Sequence, residues 1–307
     1  MKECSKYEVV FSVKRSTAKT FVPRRRIFDC LGVISACVLS SAAFAQVSHD
    51  TLELVRQAVA NELTQPFLAE NCTYQYHREV AGKHETLLMV NSSDGLLLGR
   101  VVRVDNVPVS EDEARKEDDK LRHLLNDSAA QQQQRKRQQR VEHYTRELVQ
   151  AMPQAFRYTE TKTERAADGG RLIHLAFEPA SDYHPPSTEL ELMRGLSGVL
   201  VIHEQKKRIM RLEAHVFREI DFGWGILIQV NKGGSLLLER EPASPPGSDV
   251  RAFGLNIDGR VLLLKKLNIH WSFDHFACLP RALDLASAVS LLTAPDAAAY
   301  IDGLPSQ

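Results

Sequence analysis

The fold of this chain is decided by residues 198–217, which read GVLVIHEQKKRIMRLEAHVF. Two runs of β-branched and large apolar residues, 199–204 and 208–217, flank the polar turn Gln205-Lys206-Lys207. Apolar and charged residues interleave in the second run, as they do in a strand with one buried face. Two strands joined by so short a turn predict an antiparallel pair.

The same pattern recurs along most of the chain, with turn sequences between the runs. The further strand-like runs are residues 73–80, 85–90, 96–104, 156–164, 172–177, 226–230, 236–239, 251–257 and 261–273. Consecutive strands with tight turns form an antiparallel meander, and the strand–helix alternation of a doubly wound fold is missing. About eleven strands are too many for a flat sheet. We therefore expect an α+β fold with a strongly curved antiparallel sheet, a half-barrel with lidding helices.

Several segments have helical patterns. Residues 50–63 carry apolar residues at helical spacing, with Asp50 as the expected N-cap. Residues 110–152 lack Pro and Gly, are acidic early and basic from 135 to 140, and predict one long helix or a hairpin whose halves attract each other. Thr188 and Glu191 have capping-box spacing at the start of a short helix. Another short helix is expected after residue 280.

The N-terminal segment predicts secretion. Three arginines, 24–26, precede an apolar run that ends in Ala43-Phe44-Ala45, which is typical of a signal peptide cleaved after Ala45. Alternatives are a buried N-terminal helix, a twin-arginine signal, or a lipobox that leaves the chain lipid-anchored at Cys37. A periplasmic location is expected. Residues 46–307 hold 31 basic and 36 acidic residues, a net charge of −5, which disfavours nucleic acid as a partner.

The sequence predicts five parts along the chain. Three of them, together residues 46–279, are expected to form one domain without a transmembrane helix. The parts are a signal peptide (1–45), an N-terminal helix with the first strands (46–109), a charged helical insertion (110–152), the main antiparallel sheet (153–279), and a C-terminal helix with a tail (280–307).

Two cysteines, Cys72 and Cys278, lie outside the signal peptide. They either form a disulfide, as an even pair in an oxidising compartment can, or remain two buried thiols. Because Cys72 opens the first strand and Cys278 follows the last, we expect them to meet only if the ends of the sheet approach each other.

The sequence has no catalytic signature, and we expect neither an enzyme nor a cofactor. No P-loop, dinucleotide-binding motif or H-E-x-x-H is present. The most metal-like group is His270, Asp274, His275 and Cys278, but alternation along a strand turns His275 away from His270 and Asp274. No metal site is therefore predicted.

Aromatic residues indicate where a ligand binds. Phe222 and Trp224 stand at a predicted bend, where Gly223 and Gly225 flank Trp224, and we expect Trp224 to be mostly buried. Trp271 and Phe273 are two residues apart and share a strand face. These four residues are predicted to line an apolar concavity.

The strand that begins Gly198-Val199-Leu200-Val201-Ile202-His203, with the next strand Arg208-Ile209-Met210-Arg211-Leu212-Glu213, resembles the periplasmic lipoprotein-sorting carrier superfamily. The similarity covers residues 50–276 in the order of the elements, and the insertion at 110–152 departs from it. The resemblance implies a half-open β-barrel with helices over its apolar concave side. It implies binding of a lipid or of lipoprotein acyl chains. The alternative is an interaction or sensor domain that binds a protein partner through the insertion.

Overall fold

The fold is taken from a computed structural model. The described residues are 41–65, 67, 71–80, 82–222, 228–241, 244, 249–261, 265–295 and 297. These residues contain four α-helices, α1 (Ser41–Thr64), α2 (Glu111–Asn126), α3 (Ser128–Ala155) and α4 (Leu285–Thr293), and a 3-10 helix at Glu189–Gly195.

Thirteen strands in the described ranges make one antiparallel sheet, and among them the sheet is not closed into a barrel. They are β1 (Cys72–Val80), β2 (Lys83–Asn91), β3 (Leu97–Val104), β4 (Val107–Pro108), β5 (Phe156–Arg165), β6 (Arg171–Pro179), β7 (Leu196–His203), β8 (Arg208–Val216), β9 (Ile220–Phe222), β10 (Ile228–Val230), β11 (Ser235–Arg240), β12 (Val250–Val261) and β13 (Lys265–Cys278). The expected α+β class and half-barrel are confirmed.

The strand order is β4-β3-β2-β1-β13-β12-β11-β8-β7-β6-β5, with the β9–β10 hairpin attached to β12. The first four strands therefore run outward to one edge of the sheet. The chain then crosses to the opposite edge through α2 and α3, and the remaining strands return inward until β13 pairs with β1. The helical insertion is thus the connection between the two edges of the sheet.

The length of α3 requires the sheet to curve. Nine interstrand spacings of about 4.8 Å separate β3 from β5, or about 43 Å along the sheet. Near its start α3 is tied to β3, because Gln134 Nε2 donates to the carbonyl of Leu97, and at its end it runs directly into β5. From Gln134 to Ala155 the helix is only about 32 Å long. The arc of the sheet is therefore longer than the helix that spans it.

Two hydrophobic cores lie on opposite faces of the sheet. On the face that we call inner, Val55, Ala58 and Val59 of α1 pack with Met152 of α3 against alternate residues of β5–β8, β11 and β12. On the outer face, Leu121 of α2 and three buried residues of α4 pack against β2 and β3. The helices bury apolar residues on the sheet, which is the general source of helix stability in proteins.

The insertion breaks into two helices at Asp127, whose side chain caps α3 by accepting from the backbone N–H groups of Ala129 and Ala130. Two acidic residues of α2 have partners outside α3: Asp112 pairs with Arg115 within the helix, and Asp118 pairs with Arg100 of the sheet at 2.7 Å. Attraction between the acidic and basic halves of the insertion stays a prediction.

Two predicted helix caps are wrong. Asp50 lies inside α1, which begins nine residues earlier at Ser41. Thr188 has helical backbone angles, φ −63° and ψ −37°, and makes no capping hydrogen bond through its side chain. A capping side chain needs extended backbone at the N-cap to reach the first turn, so the expected capping box with Glu191 does not form. The 3-10 helix starts after it without that support.

A disulfide joins Cys72 and Cys278, whose Cα atoms are 3.9 Å apart. The two residues face each other in the β1–β13 ladder. The expectation that the sheet ends must approach for this bond is wrong, because β1 and β13 are neighbours in the middle of the sheet. The first and last strands of the sheet in chain order therefore meet at its centre.

Candidate functional site

Seven aromatic rings form a contiguous group on the inner face, which we call the aromatic array. Its members are Phe67, Tyr74, Tyr76, Phe253, Trp271, Phe273 and Phe276. The ring centroids of Phe253 and Phe273 are 5.2 Å apart, and those of Tyr76 and Phe273 are 5.1 Å apart. Phe67, beyond the end of α1, extends the array by an edge contact with Phe253 at 5.9 Å. These are favourable spacings for aromatic pairs.

Strand register brings these rings together. Phe273 stands directly opposite Phe253 on one side and Tyr76 on the other. Phe276 is three residues from Phe273, so regular alternation would place it on the other face. The ladder is irregular between Thr73 and Gln75, and His275 has φ +49°, which inserts one extra residue into β13. Both Phe273 and Phe276 therefore contact Tyr74.

The array has a buried floor and two exposed rings. Tyr74 is 5% exposed, whereas Trp271 is 37% exposed and Phe67 is 40% exposed. Burial raises the pKa of Tyr76 to about 12 and raises that of Tyr74 further, since an ionised phenol loses its hydration there. Both tyrosines are therefore neutral at physiological pH, and the array is an uncharged surface.

Apolar residues continue the array across β2 and β3. Leu87 and Met89 are buried beside Tyr74, and Leu97 and Val101 pack against them. Among the described residues, this cluster is built from strands alone, without a helix side chain.

Of the four predicted site residues, the structure brings Trp271 and Phe273 together. Phe222 ends β9, opposite Ile228, which pairs with Val261 near the start of β13. Because Val261 in turn pairs with Lys265, the backbone of Phe222 is level with Lys265 across the strands. Lys265 is six residues before Trp271 in β13, a distance of about 20 Å along the strand. The side chain of Phe222, and all of Trp224 with its predicted bend and burial, lie outside what the structure describes.

The sequence prediction missed Phe67, Phe253, Phe276 and the two tyrosines as members of the site. A usable signal was the alternation of Tyr74 with Tyr76 in one strand and of Trp271 with Phe273 in another. If Cys72 is paired with Cys278, the two aromatic runs become neighbours in antiparallel strands. Phe67 had no such signal, since it belongs to no strand.

Four charged side chains form a buried ion cluster beside the array: Glu62, Arg208, Arg240 and Asp249. Arg208 Nε lies 3.0 Å from Asp249 Oδ2, and Arg240 Nη2 lies 3.0 Å from Glu62 Oε2. Glu62 also accepts from the backbone N–H of Ile209 at 3.1 Å. The guanidinium of Arg240 is 5.7 Å from the ring centroid of Phe67, which is the geometry of a cation–π contact. The cluster therefore ties the end of α1 to β8, to β11 and to the residue that precedes β12.

A second polar network lies on β1, β2 and β13. Its hydrogen bonds follow the order of a hydrolase catalytic triad, but its hydroxyl group is not accessible to a substrate. His77 Nδ1 is 3.0 Å from Thr86 Oγ1, and His77 Nε2 is 2.9 Å from Asp274 Oδ1. Thr86 is only 7% exposed and pairs with residues of both neighbouring strands. A nucleophile needs access to substrate and nearby oxyanion donors, and Thr86 lacks the access. The geometry favours a structural role.

The residues of the metal-like group are engaged separately. His270 contacts Asp258 at 3.0 Å, Asp274 contacts His77 and His275, and Cys278 is in the disulfide. Within the described ranges, no group of three or more His, Cys, Asp or Glu side chains is placed to hold a metal ion.

Two open clefts lie away from the array. One, of about 600 Å³, runs between α3 and residues 182–190 and has a mixed lining that includes Glu147, Tyr183 and His184. The other is on the charged outer surface of α2. The exposed part of the array is thus a surface distinct from both clefts.

Comparison of the chain with protein-family models, with curated proteins and with solved structures finds no match. Among the helices that the structure describes, none is both long and apolar enough to cross a membrane.

Proposed function

We propose that this protein is a non-enzymatic cell-envelope protein that binds an apolar ligand, a lipid or the acyl chains of a lipoprotein, on the aromatic array. The observation that carries the proposal is one contiguous group of seven rings on the inner face, two of which keep more than a third of their surface exposed. An exposed aromatic surface of this kind is typical of a binding site.

The energy of such binding comes from covering apolar surface. Removing about 300 Å² of apolar surface from water contributes about 7 kcal/mol at about 25 cal/mol per Å², before the entropic cost of association. Acyl chains suit the site because they are long and uncharged, as the array itself is. The rings of the floor are fixed by strand pairing, so little side-chain ordering opposes binding.

The resemblance to lipoprotein-sorting carriers supports the same proposal from the sequence. Their half-open barrels hold acyl chains on the concave side, which corresponds here to the inner face. The proposed location is the periplasm, after cleavage of residues 1–45, with lipid anchoring at Cys37 as the alternative. These assignments rest on the signal sequence and on the resemblance.

The test compares Trp271→Ala with Val107→Ala. Val107 is 64% exposed on β4, at the edge of the sheet, and serves as a matched loss of exposed apolar surface away from the array. Titration with the neutral fluorescent probe N-phenyl-1-naphthylamine is expected to show about 10-fold weaker binding for Trp271→Ala, equivalent to about 1.4 kcal/mol. Val107→Ala should bind like the parent protein. Equal binding by both variants, or none by the parent, would refute the proposal.

The alternative, a protein partner bound through the helical insertion, rests on the exposed middle of α3, where Val141 is 61% exposed. The topology already gives the insertion a structural role, since α2 packs on the outer core and α3 joins the two edges. Partner binding there stays a prediction.

A further inference from the structure

The buried ion cluster leaves hydrogen-bond donors unused. The side chains of Arg208 and Arg240 are 4% and 1% exposed. Within the part of the chain that the structure describes, Arg208 Nη1, Arg240 Nε and Arg240 Nη1 have no hydrogen-bond partner. Arg208 Nη1 lies 3.5 Å from Glu62 Oε1, and Arg240 Nη1 lies 3.6 Å from Asp249 Oδ2, both beyond good hydrogen-bond geometry. Unpaired donors on a buried guanidinium are costly and call for an acceptor.

The protein's own carboxylates are already engaged. Glu62 receives Arg240 Nη2 and the N–H of Ile209, and Asp249 receives Arg208 through Nε at 3.0 Å and Nη2 at 3.3 Å. The three unused guanidinium nitrogens therefore need acceptor oxygens from outside this set. Oxyanions are the acceptors that arginine binds best, because their oxygens match its planar donors.

These donors lie at one end of the aromatic array. The Phe67 ring contacts the guanidinium of Arg240 on one side and Phe253 on the other, with centroid distances of 5.7 and 5.9 Å. Phe67 is 40% exposed, so its side chain has room to change rotamer. An apolar tail lying on the array thus ends beside unused cationic donors.

We propose that the ligand is an anionic amphiphile, whose acyl chain lies on the aromatic array and whose oxyanion head accepts hydrogen bonds from Arg240 and Arg208. This inference rests on the proposed function and names the class of its ligand. The head is a phosphate or a carboxylate, since both offer several oxygens to guanidinium groups. Phe67 moves aside when the head enters.

The test measures displacement of N-phenyl-1-naphthylamine by dodecyl phosphate, dodecanoate and dodecanol, which share one chain and differ in the head. We expect at least one anionic ligand to bind about 10-fold or more tightly than dodecanol, as charge-assisted hydrogen bonds imply. The order of phosphate and carboxylate identifies the head. The double variant Glu62→Gln/Arg240→Met removes one charge of each sign. It should bind the anionic ligand and dodecanol with about equal affinity.

Arg240→Lys is the second variant, since it keeps the charge and removes the planar donors. It should also lose most of the preference, and the denaturation midpoints of all variants are compared with that of the parent. If the parent binds dodecanol and both anions equally, the head-group inference is wrong while the proposed function stands. If the parent binds none of the three, both are wrong. A preference that survives in both folded variants would also overturn the inference.

Discussion

Gly198→Ala tests whether the close approach of β7 and β8 sets the geometry of the sheet. A Cβ atom at position 198 would lie 1.9 Å from the carbonyl oxygen of Glu213 and 2.9 Å from the Cα of Ala214. Both are backbone atoms in a paired strand and cannot rotate away. The steric clash is therefore removed only if the two strands move apart by about 1 Å or more. Overpacking costs about 1–3 kcal/mol, and one or two lost ladder hydrogen bonds add about 1 kcal/mol each. We expect a total loss of about 2–5 kcal/mol.

Urea denaturation followed by circular dichroism measures this loss. With a denaturant slope of about 3 kcal/mol per M, the midpoint should fall by about 0.7–1.7 M. Gly254→Ala is the matched control, because a Cβ there meets only the carbonyl oxygen of Trp271, at an ordinary 3.9 Å. It should leave the midpoint within about 0.2 M of the parent, a change below about 0.6 kcal/mol. A Gly198→Ala midpoint equal to that of Gly254→Ala would show that the β7–β8 spacing is wrong.

Two further changes probe the sheet centre and one of its turns. The double variant Cys72→Ala/Cys278→Ala should lose about 5 kcal/mol, since the bond closes a loop with a sequence separation of 206 residues. An unchanged thermal midpoint without reductant would contradict this. Hydrogen bonds from Lys206, and then from a backbone N–H and His203, hold the pKa of Asp168 well below its usual range. A lowered carboxyl pKa stabilises the folded state above the unfolded-state pKa of about 4, and this contribution is lost as the pH falls below it. Asp168→Asn should therefore flatten the decline of the unfolding free energy between pH 5 and pH 2, and an identical pH profile would speak against the network.

The class of fold was predictable because strand periodicity and turns are local signals. The runs at 199–204 and 208–217 became β7 and β8, paired as a hairpin. The strand order was not predictable in the same way. Pairing of β1 with β13 depends on residues about 200 positions apart, and nothing in the local pattern reports which distant strands adjoin.

The candidate site was predictable in part for the same reason. Trp271 and Phe273 share a face through simple alternation, which the sequence shows directly. Phe276 joins them only because of the extra residue near His275, and a bulge has no reliable sequence signal at a position without Gly. The ion cluster combines Glu62 with residues from β8, β11 and the approach to β12, so it appears only when long-range packing is known.

The central place of β13 has a consequence for how the chain reaches its folded state. Among the described strands, β13 alone joins the β1–β4 half of the sheet to the half from β5 to β12. During synthesis β1 can pair with β2 at once, but its other edge has no partner until β13 and therefore almost the whole chain has emerged. A protein built this way folds late and through contacts of high sequence separation, which makes folding slow. The sheet is complete, and Cys72 faces Cys278 in its native pairing, only once β13 has been made and has joined the two halves.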